Sequence, residues 1–428
     1  MTLGPRTFSP FLAGILVLWP IIAYMGAQGY TGAVAIAALL GLAYVRVTGI
    51  RLYALFCAAF MLWIVVAGFW APEAKDLITG SILDGSFSMD MPGIRFALTA
   101  LAGIGVLAAT AAVAARSSRI SLGVIVGAAL VQFVGVVVTA VFMDQILALL
   151  APISDPVQEM PQNLIRNANS FSLLLPFLLT WIWHRQDPRF GPRTALFIAL
   201  VAFIAFVLTG TQSAMVGAVI MGLLMLLVKT MPKHGFRAIF SGLAVYVIAM
   251  PVIVSAGLAL VRGLGLPLPR SFFSRTYSWE FVSAKIQQAP LIGHGPEACH
   301  TWRDTFGDHP EWLADAAARF GDGGVWQSYP VVPLHPHNMP LQIWAETGAI
   351  GAALAAAFLL FLGWRLRPPQ DWPPVSKYAA AGLIGVCISI GSFAYSVWNE
   401  AFWGSVVLAA AVILLQARHQ NEAARDLA

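Results

Sequence analysis

The sequence predicts an all-α polytopic membrane protein with about 12 transmembrane helices, and three observations carry that reading. Of its 428 residues, 59% are hydrophobic and only 11% are charged, against about 25% charged in soluble domains. Twelve apolar segments recur along the chain, near 10–27, 30–45, 52–70, 93–115, 120–143, 169–184, 194–209, 212–228, 236–261, 339–364, 376–395 and 398–416; a helix needs about 20 mostly apolar residues to span a bilayer. Basic residues gather in alternate connections.

With the N-terminus on the inner side, the inner connections hold Arg46 and Arg51, Arg116 and Arg119, Arg185, Arg189 and Arg193, Lys229, Lys233 and Arg237, and Arg365, Arg367 and Lys377. Arg6, Arg418 and Arg425 lie on the tails, which brings the inner total to 16 of 25 basic residues. The outer connections hold Glu73, Asp76, Asp84, Asp90, Asp155 and Glu159. This is the positive-inside pattern, and it places both termini on the inner side. The first segment carries one basic residue and no small-residue cleavage site before its apolar run, so it is expected to be a retained span.

Three outer connections are long: 71–92, 144–168 and 262–338. The last divides the chain into transmembrane helices one to nine (1–261), a large loop (262–338), and helices ten to twelve with an inner tail (339–428). Within the loop, WEFVSAKIQQ and EWLADAAARF have helical spacing, but the loop is too poor in apolar residues for a large core of its own. It is expected to pack on the helix ends. No internal repeat is visible, so the inverted repeat of many transporters is missing. The net charge of +5 reflects membrane sidedness and is spread over short connections, which argues against a nucleic-acid partner. Cys57 and Cys387 fall in apolar segments and Cys299 is alone in the loop, so no disulfide or cysteine metal site is expected.

The polar residues that could carry chemistry cluster on the outer side. In HPHN, His335 to Asn338, a lone histidine could be merely interfacial; here His337 precedes Asn338, Gln342 and Glu346. Gln342 and Glu346 share a helix face, which is costly in an apolar span unless it lines a polar cavity. A histidine suits a general base at neutral pH. Arg270 and Arg275 open the loop; arginine pairs with phosphate oxygens, whereas snorkelling to headgroups is the plainer account of Arg270. Arg166, Asn167 and Asn169 stand where the second outer connection enters span six, as helix caps or an anion site. Thr209, Thr211, Gln212 and Ser213 read as a hairpin turn. His335 and His337 lack a third ligand at useful spacing, and Asp322 lies in a GDGG turn, so no metal is expected. No nucleotide loop or serine-hydrolase elbow appears.

At these residues the sequence resembles the O-antigen ligase and polymerase superfamily of bacterial envelope glycosyltransferases. The family pattern of Arg, Trp, a helical stretch and Pro-hydrophobic-hydrophobic-Gly-x-Gly is met by Arg275, Trp279 and Pro290-Leu291-Ile292-Gly293-His294-Gly295. The second pattern is met by His337, Asn338, Gln342, Glu346, Gly348, Ala349, Ile350 and Gly351. Asn167-Ala168-Asn169 is similar to a family Asn-Pro-Asn that has lost its proline. Thr211-Gln212-Ser213-Ala214 stands where the family often has Ser-Arg-x-Ala, so one arginine is absent. The detailed match covers about 166–351.

The resemblance implies a GT-C-like membrane fold with a large, partly helical periplasmic loop between spans nine and ten. It implies an O-antigen ligase in the cell inner membrane, working on the periplasmic face with both termini cytoplasmic. The donor would be a glycan on undecaprenyl diphosphate and the acceptor lipid A–core. The transfer would be inverting, with neither metal nor cofactor. His337 would take the acceptor proton, and Arg275 would stabilise the leaving diphosphate, helped by Arg166 and Arg270. Asn167, Asn169, Asn338, Gln342 and Glu346 would bind or position substrate. O-antigen polymerases and protein O-glycosyltransferases share these motifs. A transporter of lipid-linked glycans is the rival of another class, but it should carry its ionisable residues near mid-bilayer.

Overall fold

A computed structural model describes residues 8–41, 52–72, 80–81, 89–112, 118–150, 160–185, 189–321, 323–365 and 372–425. Of the residues named above, Arg6, Arg46, Arg51, Arg116, Arg367, Glu73, Asp76, Asp84, Asp155, Glu159 and Asp322 lie outside the described residues. Among the described residues the regular elements are helices, connected by turns and irregular segments that include one isolated bridge between Thr305 and Pro330.

The first helices are α1 (Phe8–Val17), α2 (Trp19–Tyr24), α3 (Gly29–Gly41) and α4 (Leu52–Ala67). Then come α5 (Pro92–Ala112), α6 (Ser118–Leu150), α7 (Met160–Arg185), α8 (Gly191–Leu208), α9 (Gln212–Thr230) and α10 (Gly235–Gly263). The loop segment contributes α11 (Arg270–Gln288), α12 (Pro310–Phe320) and α13 (Gly323–Gln327), and α14 (Met339–Arg365), α15 (Pro374–Phe393) and α16 (Glu400–Arg425) complete the chain. Eight of these, α5, α6, α8, α9, α10, α14, α15 and α16, are long and apolar enough to cross a membrane. The apolar helices before α5 are shorter, and α7 mixes an apolar second half with a polar first half. The chain is a multi-pass membrane protein. Its outward surfaces agree: Leu196, Phe197, Leu200 and Leu208 of α8 and Val131, Val134, Val138 and Val141 of α6 are all exposed, a density of bare apolar side chains that water does not tolerate on a monomer.

Helix α7 runs through the middle of the bundle. It touches α2, α6, α8, α9, α15 and α16, and from Asn167 to Ile182 nearly every residue is buried. A helix covered on all sides must be apolar or internally satisfied, and Asn167, Asn169, Ser172 and Thr180 of α7 each take part in at least one hydrogen bond. On one flank of α7, α9 and α15 pack closely because Gly385 lies against the backbone of Ile220 and Met221. Small residues let membrane helices approach in this way.

Both loop stretches with helical spacing are helices, within α11 and α12. The loop builds an aromatic cluster of Phe273, Tyr277, Phe281, Phe306 and Trp326. That cluster is continuous with Met250, Val254 and Leu258 of α10 and with Leu341 and Ala345 of α14. The loop therefore sits on the ends of α10 and α14 and shares their core.

Candidate active site

The foundation of the site is a break in α14. Gly348 adopts φ +67° and ψ −171° inside the helix, which leaves helical carbonyls and amides without partners. The segment Pro290–Gly295 supplies them. His294 N–H donates to the Ala345 carbonyl (3.0 Å) and Gly295 N–H to that of Glu346 (2.8 Å). In return Ala349 N–H donates to the Pro290 carbonyl (2.9 Å) and Ile350 N–H to that of Leu291 (3.2 Å). The two glycine-bearing motifs of the sequence are thus one structure. Broken helices survive at membrane depth only where such substitutes exist.

Glu346, in the turn before the break, is fully buried. Its carboxylate accepts the N–H groups of Glu297 (2.9 Å) and Cys299 (3.3 Å), the Gln342 amide (3.2 Å) and the Trp398 indole N–H. Gln342, also fully buried, donates to Ser396 Oγ (3.0 Å) and accepts the Val397 N–H (3.0 Å). Asn338 caps α14 by accepting the Leu341 N–H (3.0 Å). These three residues tie the loop and the α15–α16 link to α14; Glu346 makes no hydrogen bond to His337.

Directly before α14, Leu334 and His337 both take left-handed backbone (φ +68° and +52°), an arrangement that costs energy outside glycine. It turns both histidines of HPHN onto one acceptor. His337 Nδ1 lies 3.0 Å, and His335 Nε2 3.2 Å, from the carbonyl oxygen of Ala394, with the rings 4.2 Å apart. A carbonyl oxygen only accepts, so His337 carries its proton on Nδ1 and presents a bare Nε2. Burial pushes the His337 ring down to about 4, the nearby Arg275 cation adds to the shift, and the Ala394 carbonyl opposes it. Burial likewise pushes His335 down to about 3, with His337, His300 and Arg275 contributing. Both rings are neutral at physiological pH. Arg275, one turn and a half into α11, lies over the Phe272 ring (5.4 Å), and its Nη1 is buried without a hydrogen-bond partner among the described residues. Burial lowers its pKa as well.

Arg270 goes elsewhere. Five residues before Arg275 it faces another side of α11, over the rings of Trp326 (5.4 Å) and Phe320 (5.8 Å). From the bundle side, Ala394 is followed by Tyr395, which lies close to Arg166 and Asn169. Arg166 also donates to Asn163 (3.1 Å), and Asn169 accepts Ser213 Oγ (2.8 Å). Asn167 is fully buried and accepts from Gln132 (3.0 Å). Because α7 begins at Met160, none of the three caps it. They stand inside the helix, so the capping alternative falls. Gln212, in the position of the missing arginine, accepts Ser271 Oγ (3.0 Å) at the start of α11, while Gly210 makes the hairpin turn at φ +65°. Among the described residues, no three His, Cys, Asp or Glu side chains converge as a metal site.

Residues 195–356 match the family described as O-Antigen ligase. Over that range the chain is O-antigen ligase-like. A Rickettsia bellii protein named "Putative polysaccharide ligase" is 26% identical over 221 residues, 51% of this chain and 49% of its own. A similarly named protein of Rickettsia typhi is 24% identical over 213 residues, 49% of this chain and 48% of its own. The chain thus spans about half the length of the curated relatives it matches.

The ligase-like region holds Arg275, His337, Asn338, Gln342 and Glu346; Arg166, Asn167, Asn169 and the Ala394 carbonyl lie outside it. Two features had escaped the sequence reading. One is the pairing of His335 with His337 on Ala394, signalled only by the His-x-His spacing. The other is a bridge in which Arg95 donates to Glu297 (2.8 Å) and Glu400 (2.9 Å), signalled by lone charges at the ends of apolar segments.

Proposed function

We propose that this protein is an O-antigen ligase that moves a glycan from undecaprenyl diphosphate to lipid A–core by metal-independent, inverting transfer. It works in the inner membrane with twelve spans, both termini in the cytoplasm, and the 262–338 loop and the site on the periplasmic face. One observation carries the reading: a neutral histidine with a bare Nε2 lies within electrostatic reach of a buried guanidinium whose Nη1 has no hydrogen-bond partner among the described residues.

An acceptor hydroxyl oxygen attacks the anomeric carbon from the face opposite the diphosphate. The new C–O bond forms as the bond to the diphosphate oxygen breaks. The hydroxyl proton passes to His337 Nε2, and the departing negative charge is held by Arg275 with Arg166. Fixed cations in a dry site stabilise developing charge without reorganising, and a positioned base adds about 10²–10⁴-fold. Asn169 holds the Arg166 side of the site through Tyr395 and Ser213. Asn338, Gln342 and Glu346 act indirectly, by holding the loop and α14 in register. Arg270 is left out of the diphosphate site, since it lies on aromatic rings.

The test is reconstitution of the purified chain with a synthetic undecaprenyl-diphosphate glycan and lipid A–core in the presence of chelator. Joined product that is lost in His337→Ala and Arg275→Ala supports the reading. Glycan homopolymer in its place makes the protein a polymerase, and lipid-linked glycan crossing the membrane without transfer makes it a transporter.

A further inference from the structure

Phe272, Arg275 and Trp279 follow one another along α11 at spacings of three and four, which puts them on one face of the helix. The two aromatic members reach the histidine segment from both ends. Phe272 packs edge-on against Phe393 (5.6 Å between ring centroids), and Phe393 directly precedes Ala394, whose carbonyl holds both histidine rings. Trp279 donates its indole N–H to the carbonyl of Pro336 (2.8 Å), the residue between those histidines. Arg275 sits on the stripe between these two contacts.

The Pro336 contact meets a local need. The segment passes twice through left-handed backbone, at Leu334 and at His337, and such conformations persist only where the surroundings over-determine them. Pro333 and Pro336 have no backbone N–H, so two of its peptide groups cannot donate. Pro336 is buried, and a buried carbonyl left without a donor is costly. The indole satisfies that carbonyl. With only two side-chain torsions it also fixes a distance, which a long, flexible Lys or Arg would not. Trp279 is backed by the aromatic core of the loop. The histidines are thus held at their rings by Ala394 and through the peptide between them by Trp279.

We propose that Trp279 is a positioning residue for transfer: its indole N–H, gripping the Pro336 carbonyl, fixes where His337 Nε2 stands relative to Arg275. The inference rests on the transferase reading for the reaction it serves, and one of its two readouts is independent of transfer. The test compares Trp279→Phe, which keeps a ring and removes the N–H, with Trp302→Phe, the same change at a half-buried tryptophan packed on the same core. Both are made in the full chain in nanodiscs. In ¹⁵N-histidine NMR, with His337 assigned from the His337→Gln spectrum, the wild type should show the single neutral tautomer protonated on Nδ1. Trp279→Phe should show a mixture of tautomers, and Trp302→Phe the wild-type signal. In transfer kinetics Trp279→Phe should lower kcat by about tenfold, the scale of one good hydrogen bond, with donor and acceptor KM within twofold of wild type. Trp302→Phe should leave kcat close to wild type. Thermal unfolding reports whether each variant is folded. Should Trp279→Phe not fold, Trp279→3-benzothienylalanine, which keeps the bicyclic shape and puts sulfur in place of the N–H, carries the same expectations.

A His337 tautomer signal unchanged by loss of the indole N–H would overturn the role. So would an unchanged kcat, a rise in either KM without a fall in kcat, or an equal fall in kcat in Trp302→Phe. Wild-type protein that joins nothing, yet whose His337 signal changes in Trp279→Phe alone, keeps the hold of Trp279 on His337 and removes the transferase reading.

Discussion

Gly293 and Gly348 stand back to back across the break in α14, each where a Cβ would strike the backbone of the other's segment. For Gly293 the obstacle is Glu346 and Thr347; for Gly348 it is Leu291 and Ile292. Both have positive φ, +70° and +67°. The backbone cannot move aside without losing the four hydrogen bonds between the segments. Gly348→Ala is therefore expected to destabilise the protein by roughly 1–3 kcal/mol from the backbone conformation alone, with the collision added. A thermal-unfolding midpoint in detergent equal to wild type would show that the break is not clamped in this way.

Arg270→Ala and Arg275→Ala should separate cleanly. Loss of Arg275 removes a fixed cation from the proposed diphosphate site and is expected to lower kcat by about 10²–10³-fold. Loss of Arg270 removes a cation–π contact and is expected to cost about 0.5–1 kcal/mol of stability while leaving kcat close to wild type. Equal losses of activity in the two variants, measured at matched protein levels, would contradict the division of roles.

The pH profile of transfer follows from the neutral His337. Its pKa is lowered from 6.5 to about 4, so the bare Nε2 is the major form above that value. The base is lost as pH falls through it. The rate should be flat from about pH 8 down to about pH 5 and decline below about pH 4. Stability carries the same sign. Between about pH 4 and 6.5 the unfolded chain binds more protons at this ring than the folded chain does, so stability rises with pH across that window. A rate profile that already bends near pH 6.5 would place an unshifted histidine in the role.

Glu346→Gln tests whether this acid holds the structure or touches substrate. The carboxylate accepts two backbone N–H groups, an indole N–H and an amide. An amide nitrogen in place of one oxygen sets donor against donor, at about 1–3 kcal/mol. The expected result is a lower unfolding temperature and a lower kcat with donor KM little changed. A normal unfolding temperature with a raised donor KM would instead make Glu346 a substrate contact.

Much of this arrangement was legible in the residues. Apolar runs located the membrane helices, and helical spacing located α11 and α12. The expectation that Arg275 and His337 act together came from the family resemblance of their two motifs. What escaped lies mostly in the backbone. A single glycine in an apolar run does not announce that a helix breaks there, so the two glycine motifs were read apart when they are hydrogen-bonded to each other. The acceptor for both histidines is the carbonyl of an alanine, which leaves no side-chain trace. The beginning of α7 was set too late because its first turns are polar, which made Asn167 and Asn169 look like residues at a helix entry. Arg270 and Arg275 differ by five residues, enough to turn them to different faces of α11, and only the position of the Trp326 cluster reveals that Arg270 is the one on its rings.

The dependence of both histidines on Ala394 carries a consequence for biogenesis. His337 leaves the ribosome long before the α15–α16 hairpin does, and chains fold from the N-terminal side as they are made. Until that hairpin is inserted, nothing orients the imidazoles, and the carboxamide of Gln342 lacks its partners at Ser396 and Val397. The histidine pair and Gln342 therefore reach the arrangement described here only once α15 and the start of α16 are in place.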